Sequence, residues 1–229
     1  MTTPQGELLE LVWDRARLYS FFSRIFSREV DIELLSALKK KCDSTPEDEA
    51  GRMPGLRELR GFFQKTALSN RILEELAADF AGLFLGISRS PAYPCESVYR
   101  SSDGLVMGVC RWQVMKYFER EGLEKREQYR EQEDHISILY DFMVRLCTRL
   151  REEISRGDNR AAMRTLSIQC DFFHEHIQSW TGEFFGVMIE WPAHHEFYSA
   201  IGRMAHHFLL EEKSIFTQIR SALHEHPGQ

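Results

Sequence analysis

The sequence has no Cys-x-x-Cys pair: its five cysteines, Cys42, Cys95, Cys110, Cys147 and Cys170, are odd in number and widely scattered. Disulfide frameworks and structural zinc sites need paired spacings, so free thiols in a reducing compartment are the expectation. The opening residues Met1-Thr2-Thr3-Pro4-Gln5-Gly6-Glu7 hold no basic region followed by an apolar core, and no signal peptide is expected. No stretch approaches the roughly 18 apolar residues of a membrane span. An excess of basic charge is also missing, with Lys+Arg 29 against Asp+Glu 35 and a net charge of −6. That balance argues against a nucleic-acid binder, whose basic face would show, and no basic recognition helix stands out. GxxxxGK[ST] and GxGxxG are both absent, so nucleotide binding has no local support. These absences lead to the expectation of a soluble cytoplasmic protein without cofactor.

What is present is helical periodicity over a chain that is 43% hydrophobic, enough to bury a core. Leu8, Val12, Ala16, Tyr19, Phe22 and Phe26 recur at three- and four-residue spacing, which predicts a helix of about six turns. Asp31 is placed to cap the next one. The polar stretch 43–51 reads as a loop. Helices are expected around Leu56–Leu68 and from Asn70, the latter ended by Gly86. Pro91 and Pro94 interrupt the stretch Ile87–Ser102. Helical patterning resumes over Val106–Glu121, and 123–133 is highly charged. Ile138, Leu139, Phe142, Met143, Leu146, Leu150 and Ile154 make the clearest stripe, ended by Gly157. Asp158 opens a further helix to about Trp180, Trp191-Pro192 marks a turn, and a last helix starts near Glu196. The expected fold is all-α, a single helical bundle over residues 1–229 with a hinge-like loop at about 87–102.

The nine histidines form no helical metal box. Ligands on one helix face stand three or four residues apart, whereas His174/His176, His194/His195, His206/His207 and His224/His226 are adjacent or two apart. Glu-x-x-His and His-Glu-x-x-His are missing, so no metal is expected and these histidines read as solvated. Two stretches gather side chains with more to offer. One is Tyr93-Pro94-Cys95-Glu96-Ser97-Val98-Tyr99; the other is Glu131-Gln132-Glu133-Asp134-His135 at the head of the clearest helix. Asp134 fits an N-cap or first-turn position. Cys95 or Ser97 with His135 makes a hydrolase the alternative reading, although a thiol beside Glu96 gains no thiolate stabilisation.

The run Phe84-Leu85-Gly86, Tyr93-Pro94-x-x-Ser97-Val98-Tyr99, Met107-Gly108, Tyr117 and Glu131-x-x-Asp134-His135, continued by Phe173-x-x-His176 and Trp180, resembles the TorD/DmsD/NarJ family of redox-enzyme maturation chaperones. The likeness extends from about Trp13 to Glu212. It implies an all-helical, non-enzymatic protein that binds the twin-arginine signal peptide of a molybdopterin oxidoreductase precursor. The precursor is held in the cytoplasm until its cofactor is inserted, and some members also contact the body of the client. The resemblance implies a monomer or homodimer without stable membrane association. Its site set falls here on Phe84, Gly86, Tyr93, Pro94, Ser97, Tyr99, Glu131, Asp134 and His135. Carboxylates of Glu131, Glu133 and Asp134 suit guanidinium groups, while Phe84, Tyr93, Pro94 and Tyr99 suit an apolar helical segment. Two departures stand out: Gln132 sits where the family often has proline, and Cys95-Glu96 occupy loop positions whose variation points to client choice.

Overall fold

The computed structural model describes residues 3–100, 108–124 and 131–225, apart from the side chain of Glu49. It is all-α: α1 Pro4–Ser27, α2 Ile32–Ser44, α3 Glu47–Arg52, α4 Leu56–Lys65, α5 Asn70–Phe84, α6 Glu96–Arg100, α7 Val109–Arg120, α8 Ile136–Ser155, α9 Asn159–Phe172, a π-helical turn Phe173–Gln178, α10 Ser179–Glu190 and α11 Phe197–Glu225. Among the described residues β-pairing is limited to an isolated bridge between Cys95 and His135. The described helices include none long and apolar enough to cross a membrane.

Sequence signals account for most of the boundaries. The Asp31 carboxylate accepts from Leu34 N–H at 2.9 Å and caps α2, and Asp158 does the same for α9 through Ala161 N–H at 2.9 Å. Each satisfies a first-turn N–H that the helix itself cannot. Three boundaries differ from the pattern. Residues 47–51, expected in a loop, belong to α3, whose dipole Glu47 and Asp48 complement in its first turn. The irregular stretch after Ile87 contains the short α6. The helix expected to end near Trp180 continues through the π turn to Glu190. Val106 and Met107, expected to open α7, and residues 125–130 of the charged stretch lie outside the described residues.

The chain forms two compact units. The first comprises Met1–Ser27, Cys95–Trp180 and Glu211–Gln229. Its core is built on α1 and α8, where Tyr19 meets Tyr140 at 5.3 Å and Phe26 meets the same ring at 6.3 Å between centroids. The stripe of α8 that shows in the sequence is buried throughout, from Ile136 to Ile154. The second unit comprises Arg28–Pro94 and Thr181–Leu210. Phe80, Phe84, Phe184 and Tyr198 pack edge-on or tilted there, with centroids 5.0–6.2 Å apart. Such geometries favour the ring quadrupoles.

A charged network lies within the first core. Arg15 donates to Glu212 from Nε at 2.9 Å and Nη2 at 2.7 Å, and from Nη1 to Gln169 at 2.8 Å. Tyr19 Oη donates to Glu212 at 2.8 Å. Both charged side chains are withdrawn from water, so the bidentate pair offsets a large desolvation cost rather than adding surplus stability. Removal of one member therefore does far more damage than removal of both. Glu212→Leu alone is expected to lower unfolding free energy by about 3–5 kcal/mol, and Arg15→Met with Glu212→Leu by much less. Urea unfolding of the three proteins measures this; equal losses in single and double variants contradict it.

Candidate functional site

In the first unit, Asp134 and His135 each terminate a different helix. The Asp134 backbone carbonyl accepts from Glu96 N–H at 3.0 Å, and its Oδ2 accepts from Ser97 N–H at 2.9 Å. Asp134 therefore caps α6, a helix 37 residues away, and not the helix that follows it. The N-cap of α8 is His135, whose Nδ1 accepts from Ser137 N–H at 3.2 Å with Ser137 Oγ at 2.7 Å. The two neighbours thus fasten the starts of α6 and α8 together, and the Cys95–His135 bridge closes the joint. Asp134 and Ser97 are fully buried and His135 nearly so.

The other side of α6 is held as tightly. Glu96 is fully buried, and its Oε2 lies 2.9 Å from His176 Nδ1 while Oε1 takes Arg100. Arg100 also donates to the Glu175 carbonyl at 2.7 Å, and the Trp180 indole donates to the His176 carbonyl at 2.7 Å. Both carbonyls belong to the π-helical turn, whose wide register brings His176 toward α6. Tyr99 stacks on Trp180 at 5.3 Å and 26°. The burial of Cys95 and Glu96 makes them internal fasteners, in place of the client-facing positions their variability suggests.

The carboxylates of the acidic stretch are consequently unequal. Glu133 pairs with Arg111, and Asp134 is spent on α6. Glu131, its side chain 44% exposed, lies at the rim with Oε2 3.8 Å from His135 Nε2. Burial pushes the His135 pKa down to about 3; the Glu131 carboxylate, which would favour imidazolium, is too far off and too solvated to offset it. An Nδ1 that accepts from Ser137 also needs the ring neutral, with its proton on Nε2.

In the second unit, Phe84 and Pro94 are buried. Phe84 belongs to the aromatic core, so neither presents its ring to solvent. Tyr93 is 39% exposed, and it is accompanied by Leu85 at 60% and Ile87 at 74%, two aliphatics that the sequence reading passes over. Their signal is position: α5 has ended, so nothing in its apolar stripe turns them inward. The turn that carries them is fixed by Ala92 N–H donating to the Leu83 carbonyl at 2.8 Å and by Gly86 at φ +74°. A Cβ on Gly86 would stand 2.5 Å from Tyr93 Oη. Glycine is thus needed for both backbone and contact.

The His174, His194 and His224 side chains are exposed as expected, whereas His195 is half-buried. His195 Nε2 lies 2.7 Å from Glu75, and the fully buried Asp79 accepts from His194 N–H at 2.9 Å and from His195 N–H at 3.3 Å. Glu75 and Asp79, one turn apart on α5, clasp the turn that leads into α11. Among the described residues no three His, Cys, Asp or Glu side chains converge on a point that would hold a metal ion. The nucleophile geometry is unfavourable as well. Burial, reinforced by the Asp134 and Glu131 carboxylates, pushes the Cys95 thiol far up, the buried Ser97 hydroxyl has no hydrogen-bond partner among the described residues, and His135 Nδ1 is taken by Ser137.

A family model described as nitrate reductase delta subunit matches residues 46–186. The chain is 25% identical over 217 residues to a chaperone protein TorD from Shewanella sp. (strain ANA-3), covering 92% of this chain and 96% of that one. It is 27% identical over 222 residues to the chaperone protein TorD of Vibrio cholerae serotype O1 (strain ATCC 39541 / Classical Ogawa 395 / O395), covering 95% and 99%. A crystal structure from Archaeoglobus fulgidus, provisionally described as a redox enzyme maturation protein, is similar in fold with a TM-score of 0.51 at 20% identity, covering 86% of this chain and 93% of that one.

Two outcomes follow from the geometry. Unfolding frees His135 to bind a proton near its usual pKa of about 6.5, so the unfolded state holds more protons between about pH 3 and 6.5. Stability contributed by neutral His135 is present above that window and lost as pH falls through it, by up to about 2 kcal/mol between pH 7 and 5. His135→Asn, which keeps a capping acceptor but does not titrate, is expected to flatten that slope in urea unfolding followed across pH. Gly86→Ala is expected to cost about 2 kcal/mol or more, from the left-handed backbone and the displaced Tyr93; an unchanged urea midpoint contradicts it.

Proposed function

The chain belongs to the nitrate reductase delta subunit family, and we propose that it is a maturation chaperone that binds the twin-arginine signal peptide of a molybdopterin oxidoreductase precursor. The client is held in the cytoplasm for cofactor insertion. The coarser part of this reading, a chaperone for redox-enzyme maturation, is supported by the relatives named chaperone protein TorD, which are matched over nearly their whole length. The finer part is carried by one observation: Leu85, Ile87 and Tyr93 stand exposed together on the turn that the bond from Ala92 N–H to the Leu83 carbonyl closes.

Apolar side chains grouped in water suit an apolar partner, because covering them removes apolar surface from solvent. The hydrophobic segment of a leader peptide is such a partner, bound as an amphipathic or apolar helix. The first unit, taken by itself, carries a carboxylate suited to a guanidinium: Glu131, the half-exposed one of the acidic stretch. Tyr99 and Arg100 on α6 belong to the same unit. Phe84, Gly86, Pro94, Ser97, Asp134 and His135 serve the reading from beneath, as the frame of these surfaces.

Calorimetric titration with a synthetic peptide carrying two adjacent arginines and a following apolar segment tests the proposal. Binding is expected at micromolar affinity or tighter, and replacement of both arginines by glutamine is expected to weaken it by about tenfold. Leu85→Ser with Ile87→Ser is expected to leave the fold intact, since both side chains are exposed, and to weaken binding by about 1–3 kcal/mol. Glu131→Gln is expected to weaken it by about 1 kcal/mol, more at low salt. Indifference of the protein to the two arginines contradicts the twin-arginine reading.

A further inference from the structure

We propose that Asp134 is a positioning residue, which acts on leader binding by ordering α6 and does not touch the peptide; this rests on the leader-binding reading above. A five-residue helix such as Glu96–Arg100 cannot sustain itself, since the cost of its first turn exceeds what so few internal bonds return. It exists because its free N–H groups and side chains are met from outside. Asp134 meets two consecutive N–H groups at the start, those of Glu96 and Ser97. His176, the Glu175 carbonyl and Trp180 meet Glu96, Arg100 and Tyr99 further along.

The carboxylate has no exposed surface, so a guanidinium reaches it only after α6 has been lifted away, with the loss of those same bonds. What α6 offers a peptide is the half-buried Tyr99, since Arg100 is committed to Glu96 and the Glu175 carbonyl. The placement of Tyr99 is the quantity that Asp134 controls. Two helix starts meet at this buried side chain, α6 directly and α8 through the adjoining cap His135. Its Oδ2 serves the cap, and its Oδ1 has no hydrogen-bond partner among the described residues.

Asparagine separates the two roles, because it keeps the acceptor for Ser97 N–H and discards the charge. Three proteins, wild type, Asp134→Asn and Asp134→Ala, are compared in two measurements: hydrogen exchange of the 95–100 peptide without ligand, and calorimetric affinity for the twin-arginine peptide at low and high salt. Asp134→Asn is expected to keep the slow exchange of α6, an affinity within about threefold of wild type and the same salt dependence. Asp134→Ala is expected to exchange fast over 96–98 and to bind at least about tenfold more weakly, equivalent to about 1.4 kcal/mol.

If Asp134→Asn binds as poorly as Asp134→Ala while α6 stays protected, a direct charge contact replaces positioning. Unchanged exchange in Asp134→Ala overturns the positioning role whatever the affinity does. A wild-type protein that binds no twin-arginine peptide overturns the leader-binding reading, and the role in binding with it, while the exchange data still report whether Asp134 orders α6. If Asp134→Ala does not fold, Asp134→Asn decides alone, through its affinity and its salt slope.

Discussion

A peptide N–H withdrawn from water has to find an acceptor or cost the molecule a hydrogen bond's worth of free energy. The N–H groups of Glu96 and Ser97 are withdrawn in this way, and Asp134 supplies both acceptors. Much of the first unit's surface chemistry follows from that requirement. Because the carboxylate is turned inward to Ser97, α6 can be helical; because α6 is helical, Glu96 and Arg100 fall one turn apart and share an ion pair. Glu96 then meets His176 on the π turn, and Tyr99 comes to rest on Trp180. His135 extends the same logic to α8 by giving Nδ1 to the first turn of a helix that carries much of the core.

Buried polar groups in this protein are used as fasteners. Arg15 and Glu212 join α1 to the distal part of α11, and Glu75 and Asp79 hold the turn before α11 through two histidines. In each case the cost of desolvation is met by several short hydrogen bonds, so the fasteners specify geometry more than they add net stability. The exposed apolar trio of Leu85, Ile87 and Tyr93 inverts this arrangement: here a hydrophobic surface is left uncovered while the polar backbone beneath it is paired. Polar groups inside and apolar groups outside are each costly departures from the usual distribution. Both occur beside the two stretches that carry the family likeness.

Legibility of these features from the sequence tracks the range of the interaction responsible. The stripe of α8 and the caps Asp31 and Asp158 depend on neighbours within four residues, and each is readable without a structure. The glycine at 86 is readable for the same reason, since a helix stop is local. The short helices α3 and α6 are not, because neither is long enough to show a period and α6 is held by residues far along the chain. Asp134 looked like the cap of the helix it precedes; its real partner is 37 residues back, a distance that no spacing rule covers. His195 looks solvated for the same reason, the carboxylate it meets lying more than a hundred residues away on α5.

The division between buried and exposed members of the expected site has a mechanistic consequence. If the protein binds a leader as proposed, it has to release it again, and contacts made by half-exposed groups such as Glu131 or Tyr99 are screened and individually modest. A fully buried carboxylate engaged directly by an arginine would be a stronger and slower contact, made only after local opening. On the proposed reading, placement of the side chain inside, as a cap, leaves affinity to weak surface contacts and gives Asp134 the task of ordering α6. Asp134 then sets how well α6 presents Tyr99, while the apolar turn and Glu131 are the groups proposed to meet the peptide.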